Sequence, residues 1–275
     1  MRSARVNVCS FLITLLLVFS CQKNHNSPGE FVETQPPLLE AHTIRVNDQI
    51  FGFYSGLPTH YHETSQTYPL LIWIHGNGQV GNGNTDLPRI LFGGVPKLLD
   101  EQLFPAHFTV NGKNYSFIIL APQFTGWPAI DQVQSFLDYA KQHYRVDPSR
   151  VYLAGLSMGG IVATDFSAVH GSELAAVVPM SGISISGDIK MKCTEIANFL
   201  LPVWIFQNTS DQVFDVNNAR SFVTCIDGCN PVIGVKYTEF LPFGENGHDS
   251  WTTATDPSYK EENMNIYEWM LQYKR

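Results

Sequence analysis

Val151-Tyr-Leu-Ala-Gly-Leu-Ser-Met-Gly-Gly160 is the stretch on which the fold of this chain turns. Residues 151–154 are apolar and read as a short buried strand, Gly155-Leu156-Ser157-Met158-Gly159 is a G-x-S-x-G pentapeptide, and residues 161–168 open a helix. A serine on a sharp strand-to-helix turn is held at strained backbone angles with little room around it. Glycines at 155 and 159 leave that room where a Cβ would strike a neighbouring strand or helix. Such a turn lifts Ser157 Oγ above a sheet at a helix N-terminus, where the Met158 N–H can receive a developing oxyanion. A Gly-rich turn with an incidental serine is the plainer alternative. The strand before and the helix after favour a nucleophile.

The segments on either side of this turn alternate in type. Residues 43–48 and 50–55 look like an opening antiparallel pair, and residues 56–67 form a polar loop holding His60 and His62. An H-x-H pair in a polar loop is more often exposed than metal-bound. Residues 68–74 are a near-continuous apolar run, the mark of a buried parallel strand, and lead into His75-Gly-Asn-Gly-Gln-Val-Gly-Asn-Gly-Asn84. A loop so rich in Gly and Asn lets main-chain N–H groups approach a ligand closely. Residues 90–101 could be a helix despite Pro96; 115–120 read as a strand ended by Ala-Pro-Gln123, and 130–144 as a crossover helix. Beyond the serine turn, residues 174–180, 201–206 and 235–241 read as strands, 213–222 as a helix and 261–273 as a closing amphipathic helix. This alternation predicts an α/β fold in one domain, a mostly parallel central sheet with helices on both faces, spanning residues 41–275.

Bulk properties narrow the function. The chain has 275 residues, 44% hydrophobic and 15% charged, enough for one large core and too apolar for disorder. A net charge of -8 argues against nucleic acid. Arg2 and Arg5 precede an apolar run from 11 to 19, too short for a comfortable membrane span and typical of a signal peptide. Leu17-Val-Phe-Ser-Cys21 resembles a bacterial lipobox, so residues 1–20 are expected to be a lipoprotein signal, with Cys21 the lipidated first residue of the mature chain. Residues 21–40 are expected to be a flexible tether. The protein is therefore expected to be exported and membrane-anchored. Cys193, Cys225 and Cys229 remain, which predicts one disulfide and one free thiol in an oxidising compartment, with the pairing open. No histidine lies at ligand spacing from them, so neither metal nor cofactor is expected.

A serine nucleophile needs a base and a group that orients the base. In an open α/β sheet both should follow later strands, at their carboxyl ends. Asp211 follows the 201–206 strand by a short loop, and His248 sits in Gly244-Glu-Asn-Gly-His-Asp-Ser250 after the 235–241 strand. Asp215 is the main competitor for Asp211, while Asp249 adjoins His248 too closely to reach it. His143 and His170 fall at helix ends, His75 is placed to brace the glycine loop, and His25, His42 and His107 have no chemical neighbours.

The order Ser157, Asp211, His248 is that expected of an α/β-hydrolase. Residues 44–273 resemble that superfamily, through Ile74-His-Gly-Asn-Gly78, Ala121-Pro-Gln123, the serine turn, residues 205–211 and Gly247-His-Asp-Ser-Trp251. They look most like its small secreted esterases: feruloyl and acetylxylan esterases, polyhydroxybutyrate-depolymerase-like proteins and the group labelled predicted peptidases. In those relatives the strand before the acid commonly ends in His-Gly; here it ends Phe206-Gln207-Asn208. The resemblance implies a second oxyanion donor at the Asn77 N–H, and Trp127 and Trp251 are candidates to line an acyl or sugar pocket. It implies a serine carboxylic-ester hydrolase acting through an acyl-enzyme on acyl esters of carbohydrate or small esters. A peptidase of the oligopeptidase type would share the triad, but those enzymes usually carry a further domain that this length excludes. A non-catalytic surface binding lipoprotein would be expected to lack a triad member.

Overall fold

The computed structural model describes residues 31–241 and 246–275. The signal segment 1–20, Cys21 and Gly244-Glu245 of the His248 loop lie outside the described residues. The chain divides into two compact units, Met1–Phe31 and Val32–Arg275; only Phe31 of the first is described.

The second unit opens with β1 (Leu38–His42) and β2 (Ile50–Leu57), then β3 (Tyr68–Ile74), α1 (Gly94–Asp100) and a small hairpin of β4 (Phe108–Val110) and β5 (Lys113–Tyr115). There follow β6 (Ile118–Phe124), α2 (Ile130–His143), β7 (Val146–Leu156), α3 (Met158–His170), β8 (Ala176–Met180) and α4 (Ile189–Asn198). The chain ends with β9 (Trp204–Asn208), α5 (Val216–Asp227), β10 (Lys236–Phe240), α6 (Trp251–Thr255) and α7 (Ile266–Met270). Eight strands make one sheet in the order β1-β2-β6-β3-β7-β8-β9-β10. Only the β1-β2 and β2-β6 pairs are antiparallel; from β6 onward every pairing is parallel.

Alternation along the strands feeds two cores. Leu70, Ile72, Ile74, Val151 and Leu153 face one way, onto Phe136 of α2, Phe166 of α3, Ile196 of α4 and Phe222 of α5. Leu71, Trp73, Tyr152 and Ala154 face the other, onto Val95 of α1, Ala254 of α6 and Tyr267 of α7. Covered on both sides, the central strands are largely apolar, and β3 is buried at every position.

Several boundaries differ from the sequence reading. The first strand is residues 38–42 rather than 43–48, because β1 pairs Leu38 with Leu57 and His42 with Phe53. The expected tether 21–40 therefore runs into the sheet, and its Glu33 is fully buried, accepting the His60 N–H and pairing with His60 Nδ1 at 2.9 Å. Ala121-Pro-Gln123 does not end its strand: β6 continues to Phe124. The helix expected over 90–101 is broken at Gly93-Gly94, where Gly94 takes φ +63° against the Trp73 ring; Pro96 is innocuous in the first turn of α1. The closing helix is only Ile266–Met270, capped by the Asn265 side chain, since Glu261 and Met264 bridge each other ahead of it. The β4-β5 hairpin and α4 were not anticipated. Cys193 and Cys225 form the disulfide, joining α4 to α5 with Cα atoms 5.9 Å apart, and Cys229 is the free thiol among the described residues.

Candidate active site

Ser157 sits between β7 and α3 at φ 52° and ψ −116°, a conformation a non-glycine residue adopts only when its surroundings compel it. Its N–H donates to Met180 O on β8 at 2.8 Å, and its carbonyl accepts from Gly160 and Ile161 N–H at 3.0 and 3.1 Å. A Cβ on Gly155 would lie 2.6 Å from Gly159 O, and one on Gly159 would overlap the Ile74 carbonyl. Close packing of β3, β7 and the first turn of α3 therefore requires both glycines, as the pentapeptide predicted.

His248 and Asp211 meet this serine from loops after β10 and β9. His248 Nε2 lies 2.9 Å from Ser157 Oγ, and its Nδ1 lies 2.8 Å from Asp211 Oδ2. The Asp211 side chain is wholly buried and that of His248 is 11% exposed. Burial opposes ionisation of Asp211, yet the His248 bond, the Phe214 and Val213 N–H groups and the His248 charge together hold its carboxyl below the usual value. Asp215 turns away: its carboxylate accepts the Asn217 N–H and caps α5. Asp249 binds Thr252 instead of His248. The imidazole packs between Phe214, stacked at 5.7 Å, and Trp251, edge-on at 5.3 Å.

The glycine loop is built by side chains. His75 is fully buried; its Nδ1–H donates to Gly76 O at 2.7 Å and its Nε2 accepts the Phe124 N–H at 3.0 Å. Burial, the larger effect, and the bond to Gly76 O, which opposes it, leave the His75 pKa lowered to about 4, so the ring is a neutral brace, in the role the sequence suggested. Gln79 Oε1 accepts the Gly76 N–H, and Gln123 ties Gln79 O, Asp86 O and the Gly83 N–H together. This leaves Asn77 at the first position of a 3-10 turn and Met158 at the first position of α3, two backbone N–H groups with no partner within their own helices.

Ser157, His248, Asn77 and Trp251 line one cleft of about 390 Å³, with Leu156, Phe92 and Val213 as apolar wall. Trp127 does not share it: this residue lies after β6, is 54% exposed and is absent from the cleft wall. Sequence reading also missed four side chains that hold the site. Gln207 Nε2 donates to Asp211 Oδ2 at 2.6 Å, Asn208 Nδ2 donates to Gly247 O at 2.6 Å, and Ser181 and Ser250 hydroxyls meet at 2.6 Å, the latter also reaching Phe206 O. The signal was present in Gln207-Asn208, two amides closing an apolar strand, since a buried carboxamide requires partners. Among the described residues no group of three or more His, Cys, Asp or Glu side chains could hold a metal ion.

No family model matches the chain. A bifunctional acetylxylan esterase/xylanase of Neocallimastix patriciarum is 28% identical over 159 residues, 56% of this chain and 21% of that protein. The chain thus spans about a fifth of that relative's length. Among solved structures, a thermostable esterase superposes with a TM-score of 0.64 at 22% identity, over 86% of this chain and 63% of the other. A feruloyl esterase module from Clostridium thermocellum gives a TM-score of 0.54 at 15% identity, over 81% of this chain and 87% of that one. A ferulic acid esterase from the anaerobic fungus Anaeromyces mucronatus gives 0.54 at 15%, over 81% and 88%. With the sheet order above, these likenesses establish the α/β-hydrolase fold.

Proposed function

We propose that this α/β-hydrolase-fold chain is a serine carboxylic-ester hydrolase of the exported, membrane-anchored kind, acting on acyl esters of carbohydrate or small esters. The observation that supports it most is the unbroken relay from Asp211 Oδ2 through His248 to Ser157 Oγ, at 2.8 and 2.9 Å, opening into an apolar cleft. Ester-cleaving relatives and the indole of Trp251 in the cleft wall fit an acyl or sugar substrate.

In this reading Ser157 Oγ attacks the ester carbonyl carbon while His248 Nε2 takes the hydroxyl proton. Asp211 keeps the proton on Nδ1 and stabilises the imidazolium that forms. The Met158 and Asn77 N–H groups receive the negative charge on the carbonyl oxygen, aided by the N-terminus of α3. The carbon–oxygen bond to the alcohol then breaks and His248 returns its proton to the leaving oxygen. Water, deprotonated by His248, attacks the acyl-enzyme and releases the acid.

Hydrolysis of p-nitrophenyl acetate tests this reading. Ser157→Ala should lower turnover by a factor on the order of 10⁴ to 10⁶, and adding His248→Ala should cost scarcely more, because the triad acts as a unit. A serine-directed organophosphonate should label Ser157 stoichiometrically, and chelators should leave turnover intact. Ester hydrolysis that survives Ser157→Ala would overturn it.

A further inference from the structure

We infer that Gln207 is a positioning residue that fixes the Asp211 carboxylate and shares its charge with His248; this rests on the serine-hydrolase reading above. The Asp211 carboxylate accepts four hydrogen bonds. Oδ1 takes the Val213 and Phe214 N–H groups at 2.8 and 3.0 Å, and Oδ2 takes His248 Nδ1–H and Gln207 Nε2–H at 2.8 and 2.6 Å. A carboxylate has about four lone-pair directions, so each is occupied and the group cannot rotate without losing a partner. Gln207 is itself held. It is 1% exposed at the end of β9, and its Nε2 also faces Phe214 O at 3.3 Å. Both neighbours of that nitrogen are acceptors, which fixes the amide with its NH₂ toward the acid.

The consequence is electrostatic as well as steric. Two donors divide the charge of one oxygen, so Gln207 moderates the hold of Asp211 on the protonated imidazole. Among the described residues the neighbouring carboxylates are engaged elsewhere: Asp215 caps α5, Asp249 binds Thr252, and Glu239 of β10 pairs with Arg220 of α5. Burial opposes ionisation of Asp211, and the His248 bond, the Phe214 and Val213 N–H groups and the His248 charge hold it below its usual value, so the case for Gln207 rests on its 2.6 Å bond to Oδ2.

Gln207→Met keeps the volume and removes the donor. In the full-length protein it should lower kcat on p-nitrophenyl acetate on the order of tenfold with KM unchanged, a charged hydrogen bond being of that worth. The acidic limb of kcat/KM should move to higher pH, because the remaining carboxylate charge falls on the imidazolium alone. In an Asp211→Asn background the same change should cost little further, since Gln207 acts through Asp211. Gln207→Glu, which sets a second carboxylate against the first, should do at least as much damage at pH 8. A wild-type pH limb in Gln207→Met, a full additional loss in the Asp211→Asn background, or wild-type turnover in Gln207→Glu would each overturn the inference. Loss of all activity in Ser157→Ala, measured beside these variants, keeps the parent reading standing whichever way Gln207 falls.

Discussion

Asp211 and Asp215 compete on paper for one role, and their hydrogen bonds separate them. Asp211 reaches His248, whereas Asp215 spends its carboxylate on the Asn217 N–H. Asp211→Asn should lower turnover on the order of 10⁴, because the amide presents the wrong partner to Nδ1–H. Asp215→Asn should change turnover only a few-fold, asparagine being an equally good helix cap. Steady-state rates of the two variants rank the carboxylates, and the reverse order would move the acid to Asp215. His75 makes a prediction about stability. Its folded pKa of about 4 lies below the ordinary 6.5, so between those values the unfolded chain binds the proton and the folded one does not. Stability is therefore full above pH 6.5 and is lost as pH falls toward 4, by about 3 kcal/mol from this one ring. Urea midpoints across that window should fall for the native protein and fall less steeply for His75→Asn. Ser157, Asp211 and His248 were legible as candidates because chemistry restricts which residue types can serve. Gln207 was legible only in part: an amide closing an apolar strand signals a need for partners, but the acceptors that give it a role are set opposite it by the fold.

At the scale of elements, the disulfide sets α4 against α5. It closes a segment of 32 residues, and the entropy it removes from the unfolded chain corresponds to about 3–4 kcal/mol. Cys193→Ser/Cys225→Ser should lower the urea midpoint accordingly while the folded fraction keeps its turnover, since neither cysteine lines the cleft. Equal midpoints with and without reductant would contradict it. Periodicity located α2 within a residue, since its apolar stripe of Val133, Phe136, Leu137 and Ala140 is buried against the core of the sheet. It misjudged the segment before Glu101, where Pro96 drew attention as a breaker and Gly94 was the break. A glycine at positive φ signals nothing in sequence until the ring it must clear is known.

Across the whole molecule, parallel pairing brings the ends of β3, β7, β9 and β10 to one edge, so residues far apart in the chain converge: Ser157 meets His248 across 91 positions and His248 meets Asp211 across 37. The proposed anchor belongs to this scale too, since it decides where the cleft meets its ester. Cys21→Ala should release the protein from the membrane fraction or leave it unprocessed; unchanged membrane association with no lipid mass on Cys21 would refute the lipobox reading. By itself the sequence determined the fold class, the serine turn with its two glycines, the chain order of the candidates Ser157, Asp211 and His248, and His75 as a brace of the glycine loop. Those features are written in local pattern: alternation of apolar runs, residue types that only one chemistry or one backbone angle requires, and their order along the strands. The tertiary structure alone decided the pairing of Cys193 with Cys225, the capping of α5 by Asp215, the place of Trp127 outside the cleft wall around Ser157 and the bonds of Gln207. Each of those depends on which groups a folded sheet sets within about 3 Å of one another, a distance that spacing along the chain does not encode.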